Sequence, residues 1–205
     1  MPDIILKYPS EFPDQIIEDD IKVFKSEKLD MKIIKPEPEI YAALEWIIPT
    51  SFGVYLMKPY FDAFLKEAGK DHYILLKKGI KNIVSKGKQF DTKILTATAS
   101  TKKQDKKYNQ SLTVSLEVQT KDEIIIKLLF NKSLNKTDWN NAIDQLGDIL
   151  MEHYTNFPND SLSSKISEVN KFDKKRIYCV INAKNKKIEF YDDNDLFELV
   201  KNKNG

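Results

Sequence analysis

The residues able to do chemistry in this sequence are few and scattered. It holds two histidines and one cysteine, and each histidine follows an acid, as Asp71-His72 and Glu152-His153. An acid beside an imidazole is the pairing that general acid–base catalysis or a metal site uses, because the imidazole titrates near neutrality. The two pairs stand far apart in the chain, however, and no HExxH, CxxC or His-x-His spacing accompanies them. His153 falls in an apolar stripe and reads as a satisfied core histidine, while His72 stands at a helix start and reads as a local cap. Cys179, in RIYCVINA, alternates through an apolar strand and reads as a small buried hydrophobe. A thiol nucleophile needs exposure near a base. All six glycines are isolated, so neither a dinucleotide fingerprint nor a Walker loop is present. An enzyme built on this chain has only Asp71, His72, Glu152, His153 and Cys179 to work with; no catalytic set, metal site or cofactor is assigned.

Charge offers a second chemistry. The near-neutral total of +2 conceals an uneven distribution: residues 1–50 carry 6 Lys against 11 acids, and residues 51–110 carry 13 Lys against 5. At a period of 3.6 residues Leu76, Ile80, Ile83 and Val84 share an apolar face, while Lys70, Lys77, Lys81 and Lys88 line another, widened by Lys78 and Lys86. With Lys102 and Lys103 in the following loop, this stripe is the candidate anion-binding surface, for nucleic acid or anionic lipid. Its plainer use is a solvated helix face. Arg176 is the only arginine in the chain. Bidentate reading of guanine or phosphate is mainly an arginine property, so nucleic-acid contact here is expected to be weak and non-specific.

Aromatic density marks a third feature. Residues 40–57 contain one charged residue, Glu45, and hold or adjoin Tyr41, Trp46, Phe52, Tyr55, Tyr60 and Phe61. The stretch approaches bilayer-spanning length, but Glu45, Pro49, Thr50 and Ser51 oppose insertion. Two core helices are its plainer use. Aromatic residues are also over-used at protein interfaces, which makes these six the candidate contact residues. Farther on, Asp144, Asp148 and Glu152 recur every four residues, without basic partners at helical spacing on their own helix. Solvent, the basic helix, a partner's basic surface or a divalent cation are the alternatives for what faces them.

These residues are positioned by elements whose period changes along the chain. Strands are expected at 4–7 and 31–35, with a helical stretch at 13–25 between them. Residues 39–69 read as helical, interrupted at Pro49 and Pro59, and a second helix runs from His72 to about Lys86. From Thr92 the period becomes two: 92–99, 111–119 and 123–130 read as a three-stranded meander. The middle strand puts Leu112, Val114, Leu116 and Val118 on one face and polar residues on a solvated one. A helix over 138–155, a hairpin over 176–191 and a last helix over 194–201 complete the chain.

The expectation is therefore an α+β fold, with a helical half of about 1–90 packed on an antiparallel, sheet-rich half of about 91–205 in one domain. At 41% hydrophobic and 31% charged residues, the composition excludes disordered and fibrous classes. One cysteine and no signal-like start suggest a cytoplasmic home, and the Lys-for-Arg bias an AT-rich bacterial genome. The function expected is non-enzymatic: an accessory or regulatory protein working through a protein partner or its own oligomer. The alternative is an anion-surface binder.

Overall fold

The strands expected at 4–7 and 31–35 form, and the sheet gains a further strand at Phe52–Leu56. The structure, a computed structural model, describes residues 2–8, 10, 12–24, 30–35, 52–63, 69–94 and 110–202. The described elements run β1 (Ile4–Lys7), α1 (Glu18–Phe24), β2 (Met31–Ile34), β3 (Phe52–Leu56), α2 (Lys58–Ala63), α3 (Gly69–Ile94) and β4 (Gln110–Gln119). They continue as β5 (Ile125–Asn131), α4 (Lys136–Asn156), α5 (Ser161–Val169), β6 (Arg176–Ile181), β7 (Ile188–Tyr191) and α6 (Asp193–Asn202). The strands form one sheet in the order β2-β1-β3-β4-β5-β6-β7.

The fold is α+β and its sheet is mixed, which corrects the expectation of antiparallel pairing. β1 with β2, β3 with β4 and β5 with β6 are parallel, whereas β1 with β3, β4 with β5 and β6 with β7 are antiparallel. Each parallel pair spans a helical segment, the usual crossover between parallel neighbours. A helical half and a sheet half do not separate either, because β1, β2 and β3 come from the first 56 residues. The helical reading of 39–69 fails at Phe52–Leu56, where Phe52, Val54 and Leu56 point into the core at period two. Of the expected meander, β4 and β5 form, while Thr92–Ile94 end α3 instead of opening a strand.

One sheet face carries the main core. Val54, Leu116, Leu128 and Cys179 meet Leu76, Ile80 and Ile83 of α3, Trp139, Ile143, Leu146 and Leu150 of α4, and Leu162 and Ile166 of α5. α4 begins at Asn135, whose side chain accepts from the Asp138 N–H at 2.8 Å. Its stripe is then held by the Trp139 indole N–H donating to the Asn131 carbonyl at 2.8 Å. The opposite face is closed at one end by α6, where Leu196 packs with Leu129, Tyr178 and Val180.

Candidate functional site

The α3 stripe does reach the surface, but the fold neutralises part of it. Tyr73 of α3 closes on α4, where a Cβ added at Gly147 would collide with its hydroxyl. Contact that close brings the lysines of α3 to the acids of α4. Lys81 Nζ lies 2.6 Å from Asp144 Oδ2, and Lys77 Nζ lies 3.1 Å from Asp144 Oδ1 and 3.8 Å from Asp148 Oδ1. Burial disfavours the ionised Asp144 carboxyl, yet the hydrogen bonds and charges of Lys81 and Lys77 prevail and hold its pKa below the usual value. Glu152, the third acid of the stripe, accepts from the Ser161 hydroxyl at 2.6 Å at the start of α5. Two of the three periodic acids therefore face the basic helix, and the third ties α4 to α5.

The remaining lysines of the proposed anion surface divide. Lys88 donates to the Leu134 carbonyl at 2.5 Å and stands 4.3 Å over the Trp139 ring; burial lowers its pKa, partly opposed by the charge of Asp138. Lys86 is paired with Asp20 of α1, which also accepts from Asn82 at 3.0 Å. So Lys77, Lys81 and Lys88 each have partners inside the protein. Lys70, Lys102 and Lys103 lie outside the residues whose side chains are described.

What remains open is a groove between α3 and the first turns of α4. It encloses about 460 Å³ and is lined by Ile74, Lys77, Lys78, Lys81 and Asn82 of α3, with Lys136, Asn140 and Asp144 of α4. The α3 contribution follows spacing of three and four residues, and the α4 contribution follows spacing of four, so two helix faces make its walls. Four lysines stand against one carboxylate. Lys78 and Lys136 are exposed and have no carboxylate partner among the described residues, and Ile74 beside them is 58% exposed. Lys136 and Asn140 were not legible as site residues, since they lie more than fifty positions from Lys78. The signal was present only as a lysine beginning the helix after Asn135.

The aromatic candidates take other places. Phe52, Tyr60 and Phe61 are each 1% exposed and belong to the core, Phe61 stacking on Tyr154 with ring centroids 4.4 Å apart. Their burial removes them from any surface a partner could touch. Tyr55 is half-buried on the opposite sheet face, and Tyr41 and Trp46 lie outside the described residues.

That opposite face holds a feature the sequence did not disclose. Across four strands Tyr55, Glu117, Lys127 and Tyr178 stand in register. Glu117 lies 3.3 Å from Lys127 Nζ and 3.3 Å from Arg176 Nη2, with the Glu117 side chain 4% and the Lys127 side chain 2% exposed. Burial lowers the Lys127 pKa, and the charge of Glu117 partly restores it. The polar side of β4, expected to be solvated, is thus buried around an ion cluster: Ser115 is wholly buried and Gln119 nearly so.

Among the described residues, Glu152, His153 and Cys179 do not assemble into a reactive site. Cys179 is fully buried, and burial pushes its thiol pKa up, away from the reactive thiolate. Both His153 nitrogens are engaged, Nδ1 with Asp160 Oδ1 at 3.0 Å and Nε2 accepting from the Lys121 backbone N–H at 3.1 Å. Nδ1 therefore carries the proton and donates to Asp160. The Asp71 and His72 side chains lie outside those described. Among the described residues no helix is long and apolar enough to cross a membrane. No protein-family model matches the chain, and neither curated proteins nor solved structures gave a match.

Proposed function

We propose that this is a non-enzymatic binding protein acting through a protein–protein interface, and that its contact surface is the α3–α4 groove, not the aromatic segment 40–64. The observation that carries the reading is the exposure of Lys78 and Lys136, unpaired among the described residues, beside the exposed Ile74. Two cations next to an apolar ledge suit an acidic segment of a partner that also carries an apolar side chain. Nucleic acid suits the groove less well. Its lining contains no aromatic ring for base stacking, and Arg176 is committed to Glu117 on the opposite sheet face.

Panning a random displayed-peptide library against the purified protein tests this. Enriched peptides are expected to combine Asp or Glu with an apolar residue, and to lose at least about tenfold in affinity to Lys78→Glu and Lys136→Glu proteins with unchanged thermal melts. Enrichment of neutral or basic peptides, or binding indifferent to both substitutions, overturns it.

A further inference from the structure

We infer that Asp144 sets what the groove accepts: by holding Lys77 and Lys81 it leaves Lys78 and Lys136 as discrete cations beside Ile74, which favours a segment with separated carboxylates over a continuous polyanion. The inference rests on the groove being the contact surface.

The physical basis is the difference between a field and a pair of contacts. A nucleic acid or sulfated polymer gains affinity by neutralising many phosphates or sulfates at once, releasing counterions for each lysine it engages. Four free lysines on facing helices would offer such a stripe. Asp144 stands between two of them, 2.6 Å from Lys81 and 3.1 Å from Lys77. The two side chains are only 25% and 22% exposed. To reach a polyanion either lysine must leave Asp144, and the abandoned carboxylate then repels the incoming phosphates. Asp148 shares this role weakly, being 74% exposed and in reach of Lys77 alone at 3.8 Å. A partner carrying two separated acids avoids the conflict, because Lys78 and Lys136 are available without disturbing Asp144. Ile74 then supplies apolar contact that a sugar–phosphate chain cannot use.

The experiment compares Asp144→Asn with the wild type on single-stranded oligo(dT), measuring affinity across a salt series. Two charge-matched controls accompany it: Asp148→Asn beside the groove and Asp195→Asn on α6, which packs on the opposite sheet face. Single-stranded DNA contributes about 0.7 to the log–log salt slope for each phosphate neutralised. Freeing Lys77 and Lys81 is therefore expected to steepen the slope by about 1.4 in Asp144→Asn, against less than half of that in either control. Asp144→Ser, equally unable to hold the lysines, is expected to repeat the change, and thermal melts identify any variant that has lost its fold. Slopes for both Asp144 variants no steeper than for Asp195→Asn overturn the inference, as does wild-type protein preferring oligo(dT) to every acidic peptide. If no acidic peptide binds the wild type, the proposed function falls, while the salt slopes still decide whether Asp144 withholds the two lysines.

Discussion

Lys81 Nζ lies 2.6 Å from Asp144 Oδ2, a contact between α3 and α4 made across 63 residues of sequence. It turns what reads as a solvated acidic stripe and a solvated basic stripe into one helix–helix seam. Lys77 adds a second donor to the same carboxylate at 3.1 Å.

The seam carries a pH signature of known sign. The Asp144 pKa is lower folded than unfolded, so its contribution is complete above the unfolded value of about 3.9 and disappears as pH falls through the folded value. The carboxylate is 35% exposed, and solvent screening limits the effect to about 0.5–1 kcal/mol. Asp144→Asn is expected to melt below the wild type at neutral pH, with the gap closing below about pH 4. A gap that widens with acid contradicts the assignment. Melting followed by far-UV circular dichroism at several pH values provides the measurement.

His153 and Asp160 give a second prediction. The histidine is wholly buried and bridges the β4–β5 turn to the start of α5, since its Nε2 accepts from Lys121 while Asp160, its Nδ1 partner, caps Ser163 at 2.9 Å. Burial opposes ionisation of Asp160, but the Ser163 and His153 hydrogen bonds outweigh it and keep the pKa low. His153→Leu keeps the bulk but leaves the half-buried Lys121 N–H without its acceptor, at about 1–3 kcal/mol. It also takes from buried Asp160 a charge-assisted hydrogen bond worth about 1.5–3 kcal/mol, while the Ser163 bonds of Asp160 remain. A loss of roughly 2–4 kcal/mol in urea unfolding is expected. A loss under about 0.5 kcal/mol, the range of ordinary surface changes, excludes the bridging role.

How much of this was legible depended on whether a pattern closes within one element. The α4 stripe of Trp139, Ile143, Leu146, Leu150 and His153 is buried as its spacing implies, because 21 residues give the 3.6-residue period room to repeat. The faces of β4 were legible too, but not the burial of the polar one: Glu117 needs Lys127 and Arg176, and the latter lies 59 residues away. β3 was hidden because Phe52–Leu56 follows an apolar run in which alternation cannot be seen. α5 was missed because only Leu162 and Ile166 mark its buried side. The groove escaped for the same reason as Glu117, since its two walls meet only in the folded chain.

The reading of Cys179 as packing material predicts its reactivity. Buried among apolar neighbours with a raised pKa, the thiol should react with Ellman's reagent only after unfolding, at a rate that rises with urea in step with the unfolded fraction. Rapid stoichiometric labelling of the native protein is incompatible with this burial and revives a thiol chemistry for the chain.

Gly87 tests the packing of α3 on the sheet. Alanine at a helix interior ordinarily stabilises relative to glycine by about 1 kcal/mol. Here its Cβ meets Val114 Cγ2 at 2.8 Å and the Phe52 Cβ and ring at 3.3 Å, all in the core. Overpacking of this kind costs about 1–3 kcal/mol, so Gly87→Ala is expected to be net destabilising. Adding Val114→Ala removes the nearest atom, and the double variant should lose less than the sum of the two single losses. Additive losses in chemical denaturation place the strain elsewhere.

The ion cluster on the opposite sheet face makes the sharpest demand. Glu117 is the shared anion of Lys127 and Arg176, and it is 4% exposed between them. Removing its charge by Glu117→Gln takes the Glu117 carboxylate away from Lys127, which is 2% exposed. Losing one member of a buried pair costs about 3–5 kcal/mol. Lys127→Met is expected to cost less, because Arg176 remains to pair with Glu117 and reaches solvent with 42% of its side chain. The double variant Glu117→Leu with Lys127→Met should recover much of the Glu117→Gln loss, since replacing a buried pair by apolar side chains is often neutral or stabilising. Urea denaturation of the three proteins decides the order, and a Lys127→Met loss exceeding that of Glu117→Gln reverses the assignment of Glu117 as the hub.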